Sequence, residues 1–302
     1  MEPIVQVEGF TKFYGSNKVI DNINFEIMPG EVFALLGPNG AGKTTTLECI
    51  EGIRQYSAGK IFVAGLNPQK DFKQLRKVLG VQLQASALPD IITVEEAMKM
   101  FCLYLGTELR YDLLERFDLG ERHKTEFGKL STGQQRKLIL AIALAHKPNL
   151  LILDEPTAGL DVYTKVELHS LIREEKARGT AILLASHDMS EVEELADRVS
   201  ILVKGKIVAS GTPNEIITTG DNKVRIHVKT QKNTLEQLQI DQAQRMDYRE
   251  GYDIFNTRDI EGSIGRILSH IKEHQDKLLD LKVERPSLED RFINITKEGG
   301  ML

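Results

Sequence analysis

Val32-Phe33-Ala34-Leu35-Leu36-Gly37-Pro38-Asn39-Gly40-Ala41-Gly42-Lys43-Thr44 runs from five apolar residues through a glycine-rich turn to a lysine and a hydroxyl. A short, uninterrupted apolar run reads as a strand buried on both faces. The eight residues from Gly37 to Thr44 fit G-x-x-x-x-G-K-[ST]. Glycines let the backbone curl so that successive N–H groups point inward, and the helix that follows adds its positive end. The spacing therefore predicts strand, phosphate-cradling loop and helix, with the helix beginning near Lys43. Lys43 supplies a point charge for β- and γ-phosphates, and the Thr44 hydroxyl an oxygen ligand for Mg²⁺. Thr45 joins Gly37, Pro38, Asn39, Gly40, Ala41 and Gly42 among the candidate nucleotide contacts.

Outward from this loop, Ile23, Phe25 and Ile27 alternate with polar residues as a half-buried strand does. Further buried-strand runs fall at 150–153, 181–185 and 199–203, with helical stretches between them. Strands alternating with helices predict an α/β core around a largely parallel sheet. The run at 150–153 ends on Asp154 and Glu155. Catalytic groups collect at the carboxyl ends of strands in such sheets. Asp154 can hold Mg²⁺, and Glu155 can polarise or orient an attacking water.

Residues 86–146 change to a helical pattern, read as a subdomain inserted into the core. Thr93-Val94-Glu95-Glu96 has capping-box spacing and opens a helix to Leu105. That helix carries Met98, Met100, Phe101, Leu103, Tyr104 and Leu105, more apolar residues than one face needs. Most are expected to pack within the helical segment, the alternative being a groove for a partner helix. Ser131-Thr132-Gly133-Gln134 is a second capping box, and a capped helix start is also an anion site.

After residue 219 a smaller α+β domain is expected over 220–302, with strands near 223–229, 252–255 and 278–283 and helices over 263–274 and 287–297. A net charge of −5 carries no nucleic-acid signature, so no nucleic-acid partner is expected. The first ten residues lack the apolar core of a secretion signal, and the run at 138–145 is too short to span a bilayer. Any membrane role must come through a partner. Cys49 and Cys102, far apart in sequence, read as reduced thiols of a cytosolic protein.

Leu130-Ser131-Thr132-Gly133-Gln134 is similar to the LSGGQ signature of ABC ATPases, with threonine at its third position. It stands between the phosphate loop and the acidic strand end, in the family's order. Tyr14 resembles the aromatic that stacks on adenine. Gln84 resembles the glutamine that senses Mg²⁺ and attacking water, with Gln82 the second choice. Asp161, in Gly159-Leu160-Asp161, resembles the loop that passes between two ATPase copies, and His187 the histidine that contacts the γ-phosphate.

The resemblance implies a P-loop NTPase core over residues 1–219 that binds ATP and Mg²⁺. It also implies a head-to-tail dimer between two copies of this chain, with a similar but different ATPase as the alternative partner. One copy contributes Lys43, Thr44, Gln84, Asp154, Glu155 and His187; the other contributes Ser131 and Gly133. The implied partner is an integral membrane permease, which would hold the chain at the inner face of the cell membrane. Pro286-Ser287-Leu288-Glu289-Asp290-Arg291-Phe292 looks like the closing motif of bacterial ABC-2 type export ATPases, including drug-resistance and sodium-export subunits. Export is the expectation, with an importer or a soluble non-transport ATPase as the alternative. The domain over 220–302 is expected to be regulatory or a dimer contact.

Overall fold

The computed structural model describes residues 2–82, 88–219, 223–241 and 243–298. The chain forms two compact units, Met1–Pro213 and Asn214–Leu302.

The first unit begins with strands β1 (Val5–Tyr14), β2 (Asn17–Ile27) and β3 (Val32–Leu36), then helix α1 (Lys43–Ile50). Strand β4 (Ala58–Val63), the single-turn helix α2 (Phe72–Leu75) and β5 (Leu79–Gln82) follow. Three helices, α3 (Val94–Leu105), α4 (Tyr111–Arg116) and α5 (Thr132–Leu144), interrupt the strands. The core then resumes through β6 (Leu150–Asp154), α6 (Val162–Ala177), β7 (Ala181–Ser186), α7 (Met189–Leu195), β8 (Arg198–Val203) and β9 (Lys206–Gly211).

Six strands form the central sheet in the order β5-β6-β7-β3-β8-β9, parallel except that β9 runs antiparallel to β8. Every residue of β3, β6 and β7 is buried, as uninterrupted apolar runs require. A second, antiparallel sheet of order β2-β1-β4 covers part of this core. Ile23, Phe25 and Ile27 on β2 all point inward, and Phe25 stacks on Phe33 of β3 with ring centroids 5.0 Å apart. In the helical segment the Thr93–Glu96 capping box is formed in both directions. Helix α5 packs on both α3 and β5, which ties the insertion to the sheet.

Helix α8 (Pro213–Thr218) straddles the division between units. The second unit holds β10 (Val224–Thr230), β11 (Ala243–Arg249), β12 (Tyr252–Thr257), α9 (Ile260–Glu273), β13 (Leu278–Glu284) and α10 (Leu288–Glu298). Its strands make an antiparallel sheet in the order β11-β12-β10-β13. Ile226, Val228 and Phe255 on one face bury against Ile267 and Ile271 of α9. Ser287 and Asp290 cap α10 reciprocally, with Leu288 fully buried.

Candidate functional site

The loop after β3 is shaped by its glycines. A Cβ on Gly37 would lie 2.3 Å from the Leu202 carbonyl oxygen of β8, so only hydrogen fits there. Gly42 has φ 110°, a left-handed conformation, and opens α1 with no side chain capping it. The first-turn N–H groups of α1 thus keep their directional pull on anions. Lys43, the first residue of α1, folds back so that Nζ donates to the Gly37 carbonyl at 2.6 Å and the Pro38 carbonyl at 3.3 Å. Burial lowers the Lys43 pKa, and the charges of Glu155 and Asp154 work against that shift.

Asp154 ends β6, two strands from β3. Burial and the neighbouring Glu155 raise its carboxyl pKa, while Lys43 and a hydrogen bond from Thr44 pull it down. Glu155 adopts φ 49°, a sparsely populated region for a non-glycine residue. Such a conformation costs on the order of 1–3 kcal/mol and must be held by its surroundings. Three hydrogen bonds to its backbone groups hold it: its N–H donates to the Ala185 carbonyl at 2.9 Å, and its carbonyl accepts from the Ala158 N–H and from Arg136 Nη1, each at 3.2 Å. The side chain lies against His187, with Oε2 2.7 Å from Nδ1. His187 follows β7, which lies between β6 and β3, so three adjacent strands deliver the loop, the acids and the histidine side by side.

The cluster gathers groups that can serve phosphoryl transfer: a lysine and a helix end for anions, hard oxygens at Asp154 and Thr44, and a carboxylate beside a histidine. Pro38, Asn39, Gly40 and Ala41 complete the loop, with Asn39 and Gly40 exposed, and Thr45 lies in the first turn of α1.

Other expected residues stand apart from it. Ser131 and Gln134 bond each other reciprocally at the start of α5, at 3.0 and 3.3 Å. Gly133 faces Thr164 of α6, and Asp161 caps α6 through the Thr164 N–H at 3.0 Å. Tyr14 ends β1 with its ring 40% exposed and flanked by Lys12 and Arg54. Gln84 lies outside the described residues. Gln82, the second choice, is buried at the end of β5, and its Oε1 has no hydrogen-bond partner among the described residues.

Three groups went unread in the sequence. Arg136 reaches the Glu155 backbone from α5; its only sequence signal is a cation bordering the apolar run that follows. Ser186 donates to Glu191 at 2.7 Å, and Glu191 sits beside buried His169. Asp188 caps α7 and pairs with Lys165 at 2.7 Å. Burial pushes the Asp188 carboxyl up, but Lys165, Ser190 and the Glu191 N–H outweigh it and hold the pKa well below the usual carboxylate range.

A second depression of about 420 Å³ lies between the core and the helical segment, lined among others by Ile53, Phe72, Leu88, Phe101, Tyr104 and Ile142. On α3, Met98 and Cys102 are buried, whereas Met100, Leu103 and Tyr104 are exposed. The helix therefore splits its apolar residues between packing and surface.

Residues 20–158 match the ABC transporter family model. Over 97% of its length the chain is 31% identical to the linearmycin resistance ATP-binding protein LnrL of Bacillus subtilis, covering 98% of that protein. The chain belongs to the ATP-binding subunits of ABC transporters. As a member of that family it is an ATP-binding ATPase. It is also 39% identical over 212 residues to the Nod factor export ATP-binding protein I of Burkholderia pseudomallei, covering 68% of this chain and 70% of that one. A solved ATP-binding subunit of an ABC transporter superposes with a TM-score of 0.68 at 29% identity, covering 72% of this ABC ATPase and 92% of the solved chain. The P-loop α/β core and the helical insertion are therefore those of the family.

Proposed function

We propose that this ABC ATPase hydrolyses Mg²⁺-bound ATP in a composite site closed by a second ATPase subunit, and that it energises export through a membrane permease. The observation that carries the reading is the Glu155–His187 pair at 2.7 Å, set beside Lys43 and Asp154 at the ends of adjacent strands. Lys43 and the loop N–H groups bind the phosphates. Asp154 and Thr44 offer the hard oxygen donors that suit Mg²⁺, which supplies charge neutralisation on the phosphates. Glu155 orients the attacking water and takes its proton, with His187 holding the carboxylate. Gln84 belongs to the same set by sequence. Tyr14 is assigned to the adenine, and Asp161 to the border between copies.

Ser131, Gly133 and Gln134 serve the other copy's nucleotide, since their bonds stay within the start of α5. ATP then draws two copies together and its loss lets them part, a population shift driven by differential binding. Relatives named for linearmycin resistance and for Nod factor export favour export as the direction. No helix among the described residues is long and apolar enough to cross a membrane. Attachment to the inner face of the membrane is assigned to the permease, docking at the depression beside α3.

Glu155→Gln tests the catalytic assignment. The variant keeps ATP affinity within about threefold, loses more than about 100-fold in turnover and accumulates as a closed dimer. Wild-type turnover in this variant overturns the role given to Glu155.

A further inference from the structure

Glu51 is a residue that ATP chemistry leaves unexplained. It caps the C-terminal end of α1, where the helix's partial negative charge disfavours an acid, and only 5% of it is exposed. Neither carboxylate oxygen has a hydrogen-bond partner among the described residues. Burial above all, then the charges of Glu48 and Asp154, push its carboxyl up to about 7. Every local force thus opposes the charge, and none inside the fold compensates it. A buried acid without a partner weakens a fold rather than strengthening it. Rules broken without internal compensation mark positions completed from outside.

Glu51 also lines the depression beside α3, whose wall is otherwise largely apolar. Two basic side chains share that wall, and neither answers the acid. The Arg76 guanidinium lies over the Phe72 ring at 4.0 Å and the Tyr104 ring at 5.5 Å. Burial lowers the pKa of His146, holding it toward the neutral form. The rim is apolar and open, with Ile53 61% and Tyr104 59% exposed. An apolar surface around one uncompensated acid is the complement of an apolar segment carrying one cation.

We propose that the depression receives an apolar segment of the membrane partner bearing a lysine or arginine whose head group pairs with Glu51. The proposal rests on the docking reading above. A cation there gains from Glu51 and the end of α1 together, which a neutral donor does not, whereas Glu48 is already paired with Arg54. The Glu51 oxygens are shielded from water, so the head group displaces wall side chains as it enters. Because α1 begins at the phosphate loop and ends at Glu51, the same helix touches nucleotide at one end and partner at the other. Affinities for the two are then linked in both directions.

The test uses the full chain titrated onto its own permease in nanodiscs. Glu51→Gln keeps the shape and removes the charge; Tyr104→Asp spoils the apolar wall alone. We expect each variant to bind the permease at least tenfold more weakly, while free Glu51→Gln melts no lower than wild type at pH 8. Wild-type binding by Glu51→Gln with weakened Tyr104→Asp overturns the cation pairing and leaves the docking site standing. Wild-type binding by both overturns the docking reading and the pairing with it. Loss by Glu51→Gln alone overturns the apolar segment. A Glu51→Gln chain that melts well below wild type at pH 8 shows that the acid is compensated inside the fold, and so overturns the premise of the pairing.

Discussion

Helices α1 and α5 both begin at a motif tied to ATP, yet their starts are built in opposite ways. Gly42 opens α1 with a left-handed backbone and no capping side chain, so the N–H groups of its first turn are left to a ligand. Ser131 opens α5 with a closed capping box in which Gln134 answers back. The first start is incomplete as a helix terminus and complete only with an anion. The second is complete by itself, so an anion reaching it adds to a rigid end. On the proposed reading, the difference separates tight capture of phosphate within one chain from a weaker contact made when a second copy arrives.

The largest effect expected is at the incomplete start. Lys43→Ala removes the one cation folded into the loop and should lower turnover about 10³-fold, on the order of 4 kcal/mol, with ATP affinity falling alongside. Unchanged affinity by nucleotide titration would break the comparison at its first term.

A smaller effect is expected at the far end of α1. The Glu51 carboxyl titrates at about 7 in the folded chain, against an ordinary value of 4.5. Its contribution to stability is therefore fully present below pH 4.5 and lost as pH rises through about 7. The cost is on the order of 3 kcal/mol. Melting curves of the free chain between pH 4.5 and 8 should fall more steeply for wild type than for Glu51→Gln. Parallel curves would remove the penalty assigned to this acid.

The smallest effect is at the complete start. Ser131→Ala should cost about 1 kcal/mol of stability through the lost cap. It should leave ATP affinity of the isolated chain intact while reducing hydrolysis by the assembled dimer. An affinity loss as large as that of Lys43→Ala would show that the two starts do not serve separate half-sites.

What could be read from sequence follows the range of the forces involved. The fully buried strands β3, β6 and β7 were legible because each is an unbroken apolar run. The caps at Thr93, Ser131 and Ser287 were legible because donor and acceptor lie three residues apart. Strand β1 was not expected: its register shifts between Val7 and Phe13 break the alternation that marks a strand. The edge strand β11 is polar and mostly exposed along Ala243–Arg249, so no burial pattern advertised it. Helix α9 starts three residues earlier than the periodicity suggests, because Asp259 caps it through the Gly262 N–H. In the site, loop and acids could be read singly, but the Glu155–His187 contact spans 32 residues and exists only once β6 and β7 are paired. Arg136 escaped for the same reason, since its partner is a backbone carbonyl that sequence does not label.

The hydrogen bond from Arg136 to Glu155 has a mechanical meaning. The arginine rides on α5, and the peptide it grips already sits in an unfavourable backbone conformation. A tilt of α5 against β6 would therefore bear on the very peptide that sets the direction of the Glu155 carboxylate. The helical insertion and the placement of a single carboxylate are thereby joined through one hydrogen bond.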